Sequence, residues 1–184
     1  LSPRLEQSDE IIRARAKAIS SDPALAGWLK TEDIIRRVAA AVDSIADGNS
    51  PRDNLEFLAP TRKISVRKEG DKFFLNPRSY SRYDLAADVV QSLDAGALAG
   101  LFKEFKPLFQ DAGRELGYKN RDFQDTLVRA IKELLKTPVV EDEIPLREKV
   151  ISYAIADEKL EALSGAQKHL LRMGPRNTVK IQGK

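Results

Sequence analysis

His169 is the only imidazole in the chain, and the sequence holds no cysteine. Together these facts remove disulfides, thiolate nucleophiles, thiolate metal sites and multi-histidine metal sites within one chain. A histidine acting as general base needs an orienting carboxylate and a nucleophile in reach. On a helix the four-apart neighbours of His169 are Gly165 and Met173, which supply neither. His169 therefore reads as structural, exposed or half-buried. The carboxylates cluster as Asp9-Glu10, Asp53 with Glu56, Glu141-Asp142-Glu143 and Asp157-Glu158. Glycoside hydrolysis needs two carboxylates facing each other across a cleft, and adjacent acids do not give that. The run Glu141 to Glu143 lacks the spaced oxygen ligands of a calcium loop and reads as solvated linker. No G-x-S-x-G, G-x-x-x-x-G-K-[ST] or G-x-G-x-x-G motif occurs, so no nucleophile elbow, P-loop or dinucleotide fingerprint is present. The expectation is a non-catalytic protein with no cofactor and no metal. An enzyme of unrecognised type, with acids converging from distant helices, is a further alternative.

The most suggestive chemistry is positive. Lys168, Arg172, Arg176, Lys180 and Lys184 recur every four residues, and no acid follows Glu161. The stretch RMGPRNTVKI resembles the second half of a helix-hairpin-helix, whose Gly-Pro turn offers backbone amides to a phosphate. Thr178 and Ile181 then face inward, although Arg172 stands where the motif has an earlier glycine. Binding of nucleic acid or an anionic lipid headgroup through these residues is the alternative function. A solvated basic face is the plainer reading. A second candidate surface is Arg78, Tyr80, Arg82 and Tyr83, two arginines interleaved with two tyrosines that suit a groove for a partner. Trp28, Phe102, Phe105 and Phe109 fall mostly at inward helical positions and read as core.

The elements that must position these residues are mostly helical. The clearest is GWLKTEDIIRRVAAAVDSIADG, residues 27–48, where Ile34, Ile35, Val38, Val42 and Ile45 form one stripe. Thr31 is its expected cap, and Glu32–Arg36 and Asp33–Arg37 its expected four-apart pairs. Ser8 or Asp9 opens an earlier helix. Asp22-Pro23 and Asn76-Pro77 each read as a cap followed by proline at the first helical position. Asp94 caps the longest helix, about 95–116, in which Pro107 predicts a kink. Asn120 is the expected cap of a helix to about residue 136. Asp157 caps a short helix, Ser164 with Gln167 forms a capping box, and Gly174-Pro175 stops one helix and starts the last. KISVRKEGDKFFL reads as a β-hairpin over about 63–75. Residues 139–147 read as linker, and 150–155 as strand or helix.

The 184 residues suit a single helical domain, 1–184. The fold class predicted is mainly α: an orthogonal bundle of seven to nine helices with one small hairpin. Hydrophobic residues are 42% and charged residues 32%, with a formal charge of +3, which is globular and only mildly basic. No apolar run approaches the roughly 20 residues of a membrane span.

The order WL (28–29), RRV with a later VD (36–43), NPRSYSRYD (76–84), LFKEFKPLFQDAGRELGY (101–118) and ADEKLEALSGAQKHLLRMGPRN (156–177) resembles the bacterial domain of unknown function 3014 family. The likeness covers nearly the whole chain and is strongest in the last two segments. It implies no activity and no catalytic residues. It does imply a characteristic layout: an N-terminal membrane helix, a proline-rich tether and this domain at the end. The chain begins at Leu1 rather than methionine, which fits that layout. The expectation is a domain anchored to the inner membrane and facing the periplasm, with a protein partner in the cell envelope.

Overall fold

A computed structural model describes residues 3–184. Local capping chemistry sets most helix starts. α1 spans Ser8–Ala16 and α2 spans Pro23–Trp28, whose N-terminus the Asp22 side chain caps through Ala24 N–H. α3, Ile34–Ala46, starts later than Thr31 predicts, because Asp33 adopts a left-handed φ of 56° and breaks the turn. The cap comes from outside the segment. Asp9 of α1 accepts hydrogen bonds from the Asp33 and Ile34 N–H groups at 2.8 and 2.9 Å. Those are the orphan donors of a helix start, and a carboxylate suits the positive end of the dipole.

A 3-10 helix at Pro77–Tyr83 leads into α4, Asp84–Ser92. Asn76 caps the 3-10 segment through Arg78 N–H, as the Asn-Pro pair predicts. α5 runs Ala95–Glu115 from its Asp94 cap, turned by 80° from the helical segment before it. It is unbroken through Pro107, which lies on its exposed side. α6 is Phe123–Leu135, and its cap is Asp122 rather than Asn120. α7 (Glu158–Glu161), α8 (Gly165–Leu171) and α9 (Pro175–Gly183) close the chain. The capping box of α8 forms in full, Ser164 and Gln167 each accepting the other's backbone N–H.

The β structure is larger than the predicted hairpin. β1 (Val66–Glu69) and β2 (Lys72–Leu75) pair as predicted, and β3 (Pro145–Glu148) and β4 (Tyr153–Ile155) extend them into a four-stranded antiparallel sheet. Phe73 pairs with Leu146 and Phe74 with Pro145. Residues 145–147 are therefore strand rather than linker, and 153–155 resolve as strand. Proline at the first position and a single apolar residue hide PLRE from any periodicity test. The physical need for it is plain, since a lone two-stranded hairpin is marginal in water. Leu75 N–H donates to the Ile144 carbonyl at 2.9 Å, and Ile144 is 1% exposed.

Two apolar clusters result. The first joins α3, α5 and α6 through Ile34, Ile35, Ala39, Phe105, Leu108 and Phe123. Phe102, Phe109 and Phe123 pack their rings at 5.2 to 6.4 Å between centroids, so those aromatics are core as expected. The second cluster joins the sheet to α8 through Leu75, Ile144, Ile155 and Leu171, with Tyr80 against it. Among the described residues no single helix is long and apolar enough to cross a membrane.

The α8–α9 junction is the tightest point. Gly174 has φ +90°, and a Cβ placed there lies 2.4 Å from Tyr80 Cγ. Left-handed strain and steric overlap act together, so Gly174→Ala is expected to cost about 2–5 kcal/mol in urea denaturation. Gly27 is the control, being helical with nothing within 4 Å of where a Cβ would sit. Gly27→Ala is expected to be neutral or to add about 0.5–1 kcal/mol. Equal midpoints for the two variants would show that Tyr80 does not press on Gly174.

A candidate anion-binding face beside the α8–α9 junction

Tyr80 and Gly174 bring together the two surfaces that the sequence offers separately. The Asn177 side-chain amide donates to the Tyr80 carbonyl at 3.1 Å, to Asp84 Oδ1 at 2.9 Å and to the Met173 carbonyl at 3.0 Å. The 3-10 segment carrying Arg78 and Arg82 is thereby held against the segment carrying Arg172 and Arg176. Arg78 and Arg176 are exposed and form no ion pair among the described residues. Tyr80 is the packing residue of the pair of tyrosines: it is half-buried, and that burial raises its hydroxyl pKa.

The every-four-residue basic pattern does not survive as one stripe. Lys168 pairs with Glu161 at 3.3 Å and also donates to the Glu161 carbonyl. Lys180 pairs with Asp88 of α4. Lys184 Nζ donates to the Leu93 carbonyl at 2.6 Å. The Gly-Pro turn is closed to a phosphate as well. Gly174 N–H already donates to the Leu171 carbonyl, Pro175 has no N–H, and the Tyr80 ring covers the turn. The helix-hairpin-helix likeness therefore does not extend to its phosphate contact, although Thr178 is buried as expected and bonds the Leu170 and Gly174 carbonyls.

What remains is a group of cations that form no ion pair among the described residues. His169 Nδ1 lies 3.0 Å from Ser50 Oγ, and its ring meets the Tyr83 ring edge-on at 6.1 Å. The Arg82 guanidinium stacks over the Tyr83 ring, 5.0 Å from its centroid. It is braced by its bond to the Ser79 carbonyl at 2.9 Å. Burial first, and then the charges of Arg172, Arg52 and Arg82, hold the His169 imidazole below its ordinary 6.5. Arg52 and Arg172 make no side-chain hydrogen bond or ion pair to a described residue. Ser50 and Arg52 come from the loop after α3, so three separate segments contribute. Sequence reasoning missed Arg52 and Ser50, and treated His169 alone. No local signal links position 52 to position 172. Planar guanidiniums around a half-buried ring suit a carboxylate or phosphate, which accepts from them in bidentate fashion.

Several of the acids elsewhere are already engaged. A surface depression of about 620 Å³ gathers Asp43, Asp47, Asp122 and Asp125 beside Tyr118. Asp43 accepts from the Tyr118 hydroxyl, and Asp47 pairs with Arg129 at 2.7 Å. Asp122 is held below its ordinary pKa by Lys106 and by its capping bond to Gln124. A neighbouring depression of about 590 Å³ is lined by Lys103, Lys106, Arg114 and Arg121 with Asp122. Among the described residues no group of three or more metal-ligating side chains converges. Glu141 and Asp142 are exposed, and Glu143 pairs with Arg67.

The architecture defines a mainly helical domain with a small antiparallel sheet and a basic corner. A family model described as a protein of unknown function, DUF3014, matches residues 34–184, and the chain belongs to that family. No curated protein and no solved structure matches it.

The His169 environment sets a pH dependence. A folded-state pKa below 6.5 means that the unfolded chain binds the proton more readily. Stability from this group is therefore complete above about pH 6.5 and falls as the pH drops towards the folded value. NMR titration of the His169 ring is expected to give a midpoint below 6.5, moving upward in Arg172→Gln. A midpoint at or above 6.5 in the native chain would contradict the cluster.

Proposed function

We propose that this domain is a non-catalytic interaction module of the bacterial envelope that docks an anionic partner on the Arg52, Arg82, Arg172 and His169 corner. The carrying observation is that His169 meets Ser50 and the Tyr83 ring, which brings the segments carrying Arg52, Arg82 and Arg172 to one half-buried imidazole, and none of these three arginines forms an ion pair among the described residues. Holding like charges together disfavours the unliganded state, and an arriving carboxylate or phosphate relieves it. Arg78 and Arg176 flank the junction and extend the positive field. An acidic segment of an envelope protein is the partner that suits this corner. The family resemblance supports a position in the periplasm on an inner-membrane anchor. A phosphate-bearing ligand, including nucleic acid, is the second reading, and the same guanidiniums favour it.

Binding of a poly-glutamate peptide and of a short DNA duplex, each at two salt concentrations, tests the corner. Affinity is expected to fall with salt, for DNA with a slope of about 0.9 per neutralised phosphate. Arg52→Gln with Arg172→Gln is expected to weaken binding about tenfold or more. Lys168→Gln and Lys180→Gln are expected to change it less than about twofold, because those charges are already paired. Binding is also expected to tighten as the pH falls from about 7.5 to 5.5, since a bound anion favours protonated His169. Lysine variants as damaging as the arginine pair would overturn this assignment. Protease accessibility in spheroplasts tests the location separately. Cleavage there supports the envelope reading, and protection until lysis removes it and favours the nucleic-acid one.

A further inference from the structure

We propose that the tip of the β3–β4 hairpin is an insertion loop for an anionic lipid bilayer. Val150 is 101% exposed and Ile151 is 96% exposed, the two most exposed large apolar residues among those described. They sit at the centre of the four-residue loop 149–152 between β3 and β4, across whose base Lys149 N–H donates to the Ser152 carbonyl at 2.8 Å. Hairpin loop tips favour glycine, asparagine, aspartate and serine. Here the loop carries two β-branched aliphatics, neither with positive φ. They touch no core, so folding gains nothing from them. A break in local turn chemistry with no packing return marks a functional position.

The surroundings point to a membrane rather than a protein. The register aligns the start of β2 with the end of β3, so both hairpin turns lie at one end of the sheet. The unpaired charges there are Lys68, Lys72, Arg147 and Lys149, against Asp71 and Glu148. Arg67 with Glu69 and Glu143 adds one net negative charge. Across all these residues cations exceed acids by one, and the cations without an acid partner complement anionic headgroups. Behind the aliphatic tip stands Tyr153, partly exposed, with its ring 5.5 Å from Phe73. Aliphatic tip, tyrosine and then long basic side chains is the depth order of a bilayer interface. A convex two-residue tip falls far short of the roughly 800 Å² per partner of a stable protein interface. A bilayer needs no complementary pocket. The inference uses none of the arginine-corner residues and holds with or without an upstream anchor.

Vesicle flotation tests it, with phosphatidylglycerol–phosphatidylethanolamine vesicles against phosphatidylcholine vesicles. The domain is expected to float with the anionic vesicles. Val150→Asp with Ile151→Asp is expected to reduce that binding about tenfold or more, with an unchanged thermal melt because the tip packs on nothing. The same Asp pair is expected to leave binding of the poly-glutamate peptide intact, which separates this failure from that of the arginine corner. The absence of cysteine allows a unique label at Ile151→Cys. An environment-sensitive dye there is expected to shift to the blue on anionic vesicles. No flotation, flotation indifferent to the Asp pair, or a dye that stays in water while the protein floats would each overturn the proposal. So would a blue shift without vesicles that grows with protein concentration, which would show self-association.

Discussion

The contact between the Tyr80 ring and Gly174 holds the second half of the molecule together. A glycine at φ +90° lets a ring sit where a Cβ belongs, and no other residue leaves that space. Everything at the basic corner follows from it. The ring brings the 77–83 segment onto the α8–α9 junction, and Asn177 then bonds the same segment through backbone and side chain. The close fit has an electrostatic consequence. It places Arg82 and Arg172 around one imidazole, which neither segment does alone.

The first half depends on a different device, the sharing of charge between segments distant in sequence. Arg36 is the clearest case. It pairs with Glu6, Asp33 and Glu115, so it joins the chain start, the α3 entry and the end of α5. Each exposed pair is worth little alone, but one guanidinium already fixed by two partners loses less entropy to the third. Arg13 plays a similar part, donating to the Leu29 and Thr31 carbonyls that the α2–α3 turn leaves free. Sequence spacing predicts Glu32–Arg36 and Asp33–Arg37 pairs. The left-handed Asp33 removes that register. Arg36 instead meets Asp33 three residues back, and Arg37 donates to the Glu32 carbonyl.

Features written within a few residues were legible in the sequence. The Asp22-Pro23, Asn76-Pro77, Asp94, Asp157 and Ser164–Gln167 caps are each complete within one turn, and each forms. The α3 stripe and the hairpin at 66–75 were legible for the same reason. What the sequence hid depends on distance. The Asp9 cap of α3 spans 24 residues, and β3 joins β2 across the whole of α4 to α6. The candidate corner is hidden in the same way, because Arg52, Arg82 and Arg172 lie in three segments with unremarkable local patterns.

The four-residue basic repeat at the C-terminus shows why charge counted along a chain misleads. Lys168 and Lys180 lie in the pattern with Arg172 and Arg176, yet acids from α7 and α4 neutralise the lysines and leave the arginines. A lysine is a flexible point charge that a nearby carboxylate readily takes up. Arg82, stacked on Tyr83, donates to the Ser79 and Arg62 carbonyls but forms no ion pair among the described residues, so its charge stays unneutralised. The net +3 of the chain is too small to attract a polyanion by itself. The local field is set by which cations keep no partner. By that criterion the corner around His169 and the basic end of the sheet stand apart from the paired surface between them.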